Sequence, residues 1–278
     1  MSVKVVTDSG SDLPLDVAKE LGITIVPVYI YFGDKAYKDW EDIEPDELYK
    51  RLVDGPVYPT TTQPMPSDFA KVYSDLSQDA DAIVSVHLPA KVSGTYNAAL
   101  QGVEIAKPRC EIHVVDSFSI SVGLSLIAMA AARVAKAGGK LAEVLEETKK
   151  AISQTQIRGL LDTLQYLLKG GRITKAKALV GALLNVKPIL TVRDGEIIQV
   201  GMARSYAKGI DQLFEFVRKT PNLQEVAIVQ STVPDEANAL KDRIASIIDE
   251  KRILMARLGA GLGVHGGPGT LLVAARSG

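Results

Sequence analysis

Ser93 lies at a turn whose residue types suit the binding of a small anion. It follows an apolar run, 82–87, that is typical of a buried parallel strand, and it precedes 98–106, where apolar residues recur at helical spacing. A serine at such a turn can accept hydrogen bonds from the free backbone N–H groups of the first helical turn. The same N–H groups and a free hydroxyl suit a carboxylate or phosphate, so Ser93 is either a ligand-binding residue or a plain helix cap.

The threonine run 60–62 is a second group of candidate ligand-binding hydroxyls. It lies within 56–66, a segment that contains four prolines and is therefore expected to be extended and non-helical. Three hydroxyls on a stiffened loop could bind a ligand, or they could satisfy neighbouring backbone groups in a structural connector. Both alternatives stay open from these residues alone.

Two glycine-rich stretches resemble phosphate-binding loops but lack the required spacing. The stretch 169–173 lacks the Walker pattern and is more typical of a helix C-cap with charged flanks. The stretch 259–269 follows a strand, but its glycines are not spaced as in a dinucleotide fingerprint. So much glycine around His265 predicts a backbone packed closely against another group, with an exposed imidazole, and the alternative is a glycine-rich turn with an incidental histidine.

A hydrolase that acts on its own is the competing hypothesis. Ser93, His265 and either Asp8 or Asp116 could form a catalytic triad. However, the Gly-x-Ser-x-Gly elbow is absent, and no sequence feature brings His265 near Ser93. The three histidines show no metal-ligand spacing, and the single cysteine has no cysteine partner. We therefore expect no catalytic residue, no metal and no cofactor.

The composition indicates a globular protein with a substantial core. The chain has 278 residues, of which 46% are hydrophobic and 23% are charged. A net charge of −1, with scattered Lys and Arg, argues against nucleic-acid binding. The single cysteine excludes an intrachain disulfide and predicts a cytoplasmic location. No signal peptide precedes the first strand, and the longest apolar stretch, 122–135, is too short and too rich in small residues for stable membrane insertion.

The elements that must position these residues predict two domains. Strands are expected at 3–7, 23–31, 82–87 and 111–116, with helices between them. This alternation predicts an α/β fold in which a mainly parallel sheet is covered on both faces, and ligands collect at the carboxyl ends of such strands. Hairpins mixed with helices after about residue 155 predict a second domain. The expected domains are an N-terminal three-layer α/β/α domain, 1–155, and a C-terminal two-layer α+β domain, 156–278.

A resemblance to a known family rests on short motifs that occur in register along the chain. They are Val6-Thr7-Asp8-Ser9 with Asp12-Leu13-Pro14, Thr60-Thr61-Thr62-Gln63-Pro64, Ser93-Gly94-Thr95-Tyr96, Val115-Asp116-Ser117, Asp162-Thr163-Leu164, Lys169-Gly170-Gly171-Arg172-Ile173, Lys187-Pro188-Ile189-Leu190, and His265 with Gly267-Pro268-Gly269. On these motifs the chain resembles the DegV family of bacterial fatty-acid-binding proteins over essentially its whole length.

The resemblance implies a binding protein that catalyses no reaction alone. It implies that a long-chain fatty acid such as palmitate is buried between the two domains and that Thr61 and Ser93 hold its carboxylate. Members of the kinase-linked branch present this carboxylate to an ATP-dependent fatty acid kinase, which makes an acyl phosphate for phospholipid synthesis. Arg172, Arg204 and His265 match the residues near the ligand mouth that serve the partner kinase or contact phosphate in that branch.

The family pattern also raises expectations about the shape of the pocket. Gly10 stands where the family usually has Thr and could alter the pocket, and Thr62 stands where it usually has Ser. We expect the helix around 123–132 and the segment 179–184 to line the lipid tail. The sequence does not determine the chain length or unsaturation of the fatty acid.

Overall fold

The computed structural model of the chain describes residues 2–173 and 186–278. The strands of this part of the chain are β1 (Val3–Asp8), β2 (Ile23–Val26), β3 (Tyr29–Phe32), β4 (Lys35–Lys38), β5 (Thr60–Thr62), β6 (Ala82–His87), β7 (Glu111–Asp116), β8 (Thr155–Leu160), β9 (Lys187–Arg193), β10 (Glu196–Ala203), β11 (Leu223–Gln230), β12 (Ile253–Arg257) and β13 (Leu271–Ser277). The helices are α1 (Leu15–Leu21), α2 (Pro45–Asp54), α3 (Pro66–Leu76), α4 (Thr95–Ala106), α5 (Ser121–Lys136), α6 (Leu141–Gln154), α7 (Gln165–Gly170), α8 (Tyr206–Arg218), α9 (Pro234–Ile244) and α10 (Ala260–Gly266).

The first sheet is parallel throughout and has the strand order β2-β1-β6-β7. Every residue of β6 is buried, because apolar side chains cover both faces of this central strand. Helices α1, α5 and α6 pack on one face, and α3 and α4 pack on the other. This arrangement confirms the predicted three-layer α/β/α fold of the N-terminal half.

The run 23–31, predicted as one strand, is divided between two sheets. Val28, which lies between β2 and β3, donates its backbone N–H to Ser9 Oγ at 3.0 Å instead of to a neighbouring strand. The preceding Pro27 has no N–H to donate, so the pairing of β2 ends there. β3 then joins β4 and β5 in a three-stranded antiparallel sheet. The threonine run 60–62, expected as an extended non-helical segment, is thus itself a strand.

The third sheet belongs to the C-terminal half and has the order β10-β9-β8-β13-β11-β12. β11 and β12 pair in parallel, and the other neighbours are antiparallel. Helices α8 and α9 cover one face of this sheet. The result is the predicted sheet-rich C-terminal part, with β8 beginning at Thr155. The exact domain division at 155/156 stays a prediction.

Helix α5 packs between the two halves. Leu124 and Ile127 contact the core of the parallel sheet, whereas Val122 and Leu126 contact the uncovered face of the C-terminal sheet. A helix that is apolar on all sides is stable only where it is buried on all sides. Burial between two sheets therefore explains the apolar stretch 122–135 without a membrane.

Two buried aspartates of the N-terminal half hold the first turn of α10. Asp12 Oδ1 accepts from the backbone N–H of Gly259 at 2.8 Å, and Asp39 Oδ1 accepts from that of Ala260 at 2.9 Å. A carboxyl oxygen that accepts from a free N–H group at a helix start satisfies a donor that has no partner within the helix. The two aspartates fix α10, which carries His265, against the N-terminal half. Most of the glycine-rich stretch 259–269 is thus a closely packed helix, and the alternative of a glycine-rich turn does not hold for residues 260–266.

The titration of Asp39 generates a prediction about stability. Burial raises the pKa of Asp39 from its ordinary 3.8 to about 7. The contribution of this carboxyl to stability is therefore present below the unfolded pKa and lost as the pH rises through the folded one. Asp39→Asn cannot ionise, although its amide oxygen can still accept from Ala260. We predict that the variant gains about 2–4 kcal/mol relative to wild type between about pH 4 and about pH 8.

Urea denaturation across this pH range measures the difference. Asp54→Asn is the control, because Asp54 is an exposed aspartate at the end of α2. Its stability should follow that of wild type at every pH. A constant difference between Asp39→Asn and wild type would contradict the prediction.

Candidate functional site

A polar cavity lies between the N-terminal half and α10. Its empty volume, including the part open to solvent, is about 430 Å³. The residues that line it in the described part of the chain are Gly10, Val28, Thr61, Thr62, Gln63, Leu88, Val92, Ser93, Arg172, Gly261, Leu262 and His265. Both halves of the chain therefore contribute side chains to one site.

Thr61 enters this cavity because of the register of β5. It lies opposite Ile30 of β3, and Ile30 is fully buried. Side chains alternate along a strand, so Thr61 points inward while Thr60 and Thr62 are exposed. The Thr61 hydroxyl lies 2.8 Å from Nε2 of His265. This hydrogen bond joins the two halves at the cavity.

Ser93 reaches the cavity from the turn between β6 and α4. The backbone N–H groups of Val92 and Ser93 both donate to the Pro89 carbonyl, at 2.9 and 3.0 Å. Ser93 Oγ accepts from the Thr95 N–H at 3.3 Å and lies 2.7 Å from the Thr95 hydroxyl. Gly94 is the N-cap residue of α4, so Ser93 is not the helix cap; its hydroxyl accepts from the first N–H of the helix and also lines the cavity. When Thr95 donates its hydroxyl proton to Ser93, the Ser93 proton is available to a ligand.

His265 is buried, and the prediction of an exposed imidazole is wrong. The ring is only 9% exposed, because α10 packs its Ala260 and Val264 into the apolar cluster around α2. A Cβ on Gly170 would lie 2.1 Å from His265 Nδ1, so only glycine allows this approach. Burial, with a smaller effect of the positive charge of Arg172, lowers the pKa of His265 from 6.5 to about 4. The imidazole is therefore neutral near pH 7.

The surroundings of the imidazole favour the tautomer with the proton on Nε2. Nδ1 of His265 is buried and has no hydrogen-bond partner among the described residues. A buried donor without an acceptor is rarer than a buried acceptor without a donor, and the Arg172 cation also favours a lone pair on Nδ1. Nε2–H then donates to Thr61 Oγ1. This direction leaves the Thr61 proton available to a ligand in the cavity.

The structure brings Arg172, but not Arg204, to the other predicted site residues. Arg172 lines the polar cavity, and its Nη1 donates to the Gly170 carbonyl at 2.6 Å. Arg204 is exposed in the short connection between β10 and α8, and it is not among the residues that line the cavity. Thr61, Ser93, Arg172 and His265 therefore form one group, from which Arg204 is separate.

Gly10 also lines the polar cavity, as its position at the end of β1 suggested. A Cβ at this position would lie 2.5 Å from the Leu88 side chain and 2.9 Å from Asp8 Oδ1. Leu88 therefore occupies the space that a larger residue at position 10 would need. The departure from the usual Thr is compatible with the packing because of this neighbour.

An apolar cavity adjoins the polar one, and the two share Leu262 and His265 as lining residues. Its empty volume, including the part open to solvent, is about 540 Å³. Its lining residues are Ile120, Ile157, Gly159, Leu161, Leu167, Leu190, Thr191, Val192, Ile197, Leu258, Leu262, His265, Gly266, Thr270 and Leu272. Most belong to the C-terminal half. The helix 123–132 was expected to line a tail pocket, but it packs against the two sheets, and only Ile120 before it reaches the cavity. The segment 179–184 lies outside the described residues.

The triad of the hydrolase hypothesis is not assembled. His265 Nε2 contacts Thr61, and the Ser93 hydroxyl contacts Thr95. Asp8 instead contacts His87, while Asp116 accepts from backbone N–H groups. Within residues 2–173 and 186–278, no group of three His, Cys, Asp or Glu side chains is arranged to hold a metal ion.

No helix within the described ranges is long and apolar enough to cross a bilayer.

Comparisons with known proteins agree on one family. A family model described as "Uncharacterised protein, DegV family" matches residues 2–277. A DegV domain-containing protein from Caldanaerobacter subterraneus subsp. tengcongensis is 34% identical over 271 residues, which cover 96% of this chain and 95% of that protein.

Two solved structures of the family are similar over nearly their whole length. A DegV family protein from Thermus thermophilus, described as fatty-acid-binding, has 34% identity, covers 100% of both chains and has a TM-score of 0.92. A DegV family protein from Ruminococcus gnavus, solved with vaccenic acid, has 26% identity, covers 99% of both chains and has a TM-score of 0.89. These matches confirm the predicted family and fold, and they agree with the prediction of a binding protein rather than an enzyme.

The buried imidazole generates a second prediction about stability. The folded pKa of His265 lies below the unfolded one, so its contribution to stability is present above about pH 6.5 and lost as the pH falls to about 4. His265→Gln removes this titration and keeps an N–H that can donate to Thr61. We predict that wild type loses about 2–3 kcal/mol relative to the variant between about pH 7 and about pH 4.

Chemical denaturation at several pH values tests this prediction. His113→Gln is the matched control, because His113 lies on β7 with its side chain 35% exposed beside Glu111. We expect this control to follow wild type. If His265→Gln and wild type lose the same stability on acidification, the buried neutral imidazole is refuted.

Proposed function

Because the chain belongs to the DegV family, we propose that it binds one long-chain fatty acid, such as palmitate, across the two cavities. The observation that carries this proposal is that Thr61 and Ser93 line a polar cavity that adjoins an apolar one at Leu262 and His265. The carboxylate lies against the two hydroxyls. The hydrocarbon tail lies in the apolar cavity of the C-terminal half. The bound fatty acids of the Thermus and Ruminococcus proteins support this assignment.

The hydroxyl protons support a carboxylate as the polar group of the ligand. Thr61 receives a hydrogen bond from neutral His265, and Ser93 can receive one from Thr95, so both hydroxyls can donate to the same anion. A carboxylate is an acceptor only, which matches two donors. Arg172 adds a positive charge to the same cavity. Buried carboxylate oxygens would otherwise cost several kcal/mol, so these donors determine the orientation of the fatty acid.

The hydrocarbon tail supplies most of the affinity in this account. Burial of about sixteen carbons at ~0.8 kcal/mol per methylene contributes roughly 12 kcal/mol before the costs of association. Two hydrogen bonds to a charged group contribute about 1.5–3 kcal/mol each. Association and ordering cost at least about 4 kcal/mol. A cavity with an apolar lining is therefore more important for affinity than a strong ion pair at the carboxylate.

Removal of the inward threonine hydroxyl tests the assignment of the head group. Thr61→Val keeps the shape of the side chain and removes one donor to the carboxylate. We predict that palmitate then binds about 10–100 times more weakly, because a hydrogen bond to a charged group is lost. Thr60→Val is the matched control, since Thr60 is on the same strand and points outward.

Native mass spectrometry and competition binding measure this effect. Wild-type protein purified from lipid-containing cells should carry an adduct of fatty-acid mass, and Thr60→Val should keep it. A wild-type protein that is free of lipid and does not bind palmitate would refute the proposed function. Equal affinities of Thr61→Val and Thr60→Val would refute the role of Thr61.

We further propose that the bound carboxylate is presented to an ATP-dependent fatty acid kinase. Thr62 and Gln63 are exposed and also line the polar cavity, so the carboxylate end lies near the protein surface. Ser93, His265 and the two aspartates of the hydrolase hypothesis are not assembled into a triad, so the proposal assigns the chemistry to the partner. A partner that consumes ATP implies a cytoplasmic location.

Arg204 separates partner contact from lipid binding. It is exposed and lies outside the lining of both cavities, so Arg204→Gln should leave palmitate affinity unchanged. We predict that the rate of acyl phosphate formation with a fatty acid kinase falls about tenfold, as expected when one interfacial charge is lost. Arg218→Gln, at an exposed arginine of α8, is the control. Equal kinase rates for the two variants would remove Arg204 from the docking surface.

A further inference from the structure

Four buried polar side chains form a continuous chain behind the polar cavity. The Tyr73 hydroxyl lies 2.8 Å from Ser85 Oγ, and Ser85 Oγ lies 2.7 Å from His87 Nε2. His87 Nδ1 lies 2.9 Å from Asp8 Oδ2. All four residues have 0% exposure, so no substrate or solvent reaches them in this structure. The order Asp, His, Ser is that of a catalytic triad, but its complete burial points to a different role.

The donors and acceptors of this chain are all matched when Nδ1 of His87 carries a proton and Nε2 carries a lone pair. His87 then donates to Asp8, Ser85 donates to His87, and Tyr73 donates to Ser85. Every group has its partner in this arrangement. The opposite tautomer would place the Nδ1 lone pair against the Asp8 carboxylate, which leaves two acceptors facing each other. The chain therefore directs a donor from His87 to the Asp8 carboxylate.

Asp8 uses its remaining acceptor capacity on the two loops that line the polar cavity. Oδ1 accepts from the Gly10 N–H at 3.0 Å, and Oδ2 accepts from the Leu88 N–H at 3.1 Å. Gly10 and Leu88 both line the cavity. Leu88 also directly precedes Pro89, whose carbonyl accepts from the N–H of Ser93 at 3.0 Å. One carboxylate is thus connected, through short backbone steps, to the Ser93 turn.

We propose that Asp8, held in place by His87, is a positioning residue that sets the Ser93 turn and the Gly10 loop for carboxylate recognition. This proposal rests on the proposed function, in which Ser93 donates to the fatty acid carboxylate. Asp8 ends β1 and His87 ends β6, and these strands are neighbours in the parallel sheet. The carboxylate therefore joins two loops at the strand ends, where the rigid sheet can define their separation.

Loss of the carboxylate should affect the polar end of the ligand more than its tail. Asp8→Asn has nearly the same shape, but one of its terminal atoms becomes an NH₂ group that cannot accept from Gly10, His87 or Leu88. At least one loop must then move, and the Ser93 hydroxyl moves with it. The apolar cavity consists mainly of residues from the C-terminal half and does not include Gly10, Leu88 or Ser93.

The test compares two ligands that share a tail and differ at the polar end. Dissociation constants are measured for palmitate and for hexadecanol by competition binding. We expect Asp8→Asn to bind palmitate about tenfold more weakly, which is the effect of weakening one hydrogen bond to a charged group. Hexadecanol, which lacks the anion, should keep its affinity within about threefold.

Asp249→Asn is the matched control. Asp249 precedes the short 3₁₀ turn 250–252, and its Oδ1 accepts from the Lys251 N–H at 2.9 Å, just as Asp8 Oδ1 accepts from the N–H two residues after it. Neither Asp249 nor Lys251 lines the polar cavity. The Asp249→Asn variant should keep the wild-type ratio of the two dissociation constants. An equal change in that ratio for Asp249→Asn and Asp8→Asn would overturn the proposal.

Substitutions of His87 provide an independent test if Asp8→Asn does not fold. His87→Asn can still donate an N–H toward Asp8, whereas His87→Met cannot. The palmitate preference is the ratio of the hexadecanol to the palmitate dissociation constant. We expect His87→Asn to keep the wild-type ratio and His87→Met to lower it about tenfold. Ser85→Ala removes the donor to Nε2 and the acceptor of the Tyr73 hydroxyl but leaves the bond from His87 to Asp8, so it should have a smaller effect on the palmitate preference, of about threefold. If these variants bind palmitate and hexadecanol more weakly by the same factor, the effect is general destabilisation, and the proposal is overturned.

The wild-type measurement separates this proposal from the proposed function. If wild-type protein binds neither ligand, the proposed function fails. If it binds palmitate and all the variants keep the wild-type preference, only the positioning role of Asp8 fails.

Discussion

The candidate site depends on the hydrogen bonds that Asp12 and Asp39 accept from the first backbone N–H groups of α10. Thr61 and Ser93 belong to the N-terminal half, whereas His265 lies on α10 in the C-terminal half. The polar cavity exists only where these parts meet. Asp12 and Asp39 accept from backbone N–H groups at the start of α10 and so hold this helix against the N-terminal half. The hydrogen bond between Thr61 and His265 depends on that contact.

Three buried aspartates lie close to a site that we propose binds a carboxylate. Burial raises the pKa of Asp12 and of Asp39, which favours their neutral form and limits the negative charge beside the ligand. Asp8, Asp12 and Asp39 each accept from backbone N–H groups. They hold loops and a helix start in place, and the ligand receives its donors from neutral side chains and from Arg172. A buried neutral His265 fits this division, because it supports the Thr61 hydroxyl without adding a second buried cation.

Local patterns predicted much of the fold and the two hydroxyls of the site. Alternating strands and helices predicted the parallel sheet, and the turn around Ser93 is where the strand-to-helix pattern placed it. The family motifs pointed to Thr61 and Ser93, which do line one cavity.

Features that depend on distant contacts could not be predicted in this way. The apolar run 23–31 gives no local sign that Val28 bonds to Ser9 rather than to a strand. The burial of His265 depends on the packing of α10 against α2, and the lining of the apolar cavity depends on sheet order. The glycines around His265 were the only local signal of that close packing.

A crystal structure of the protein with palmitate would test the central claim most directly. We predict electron density for the carboxylate within hydrogen-bond distance of both Thr61 Oγ1 and Ser93 Oγ, with the tail in the apolar cavity beyond Leu262 and His265. Palmitate bound with its carboxylate away from these hydroxyls, or bound outside the two cavities, would contradict the account.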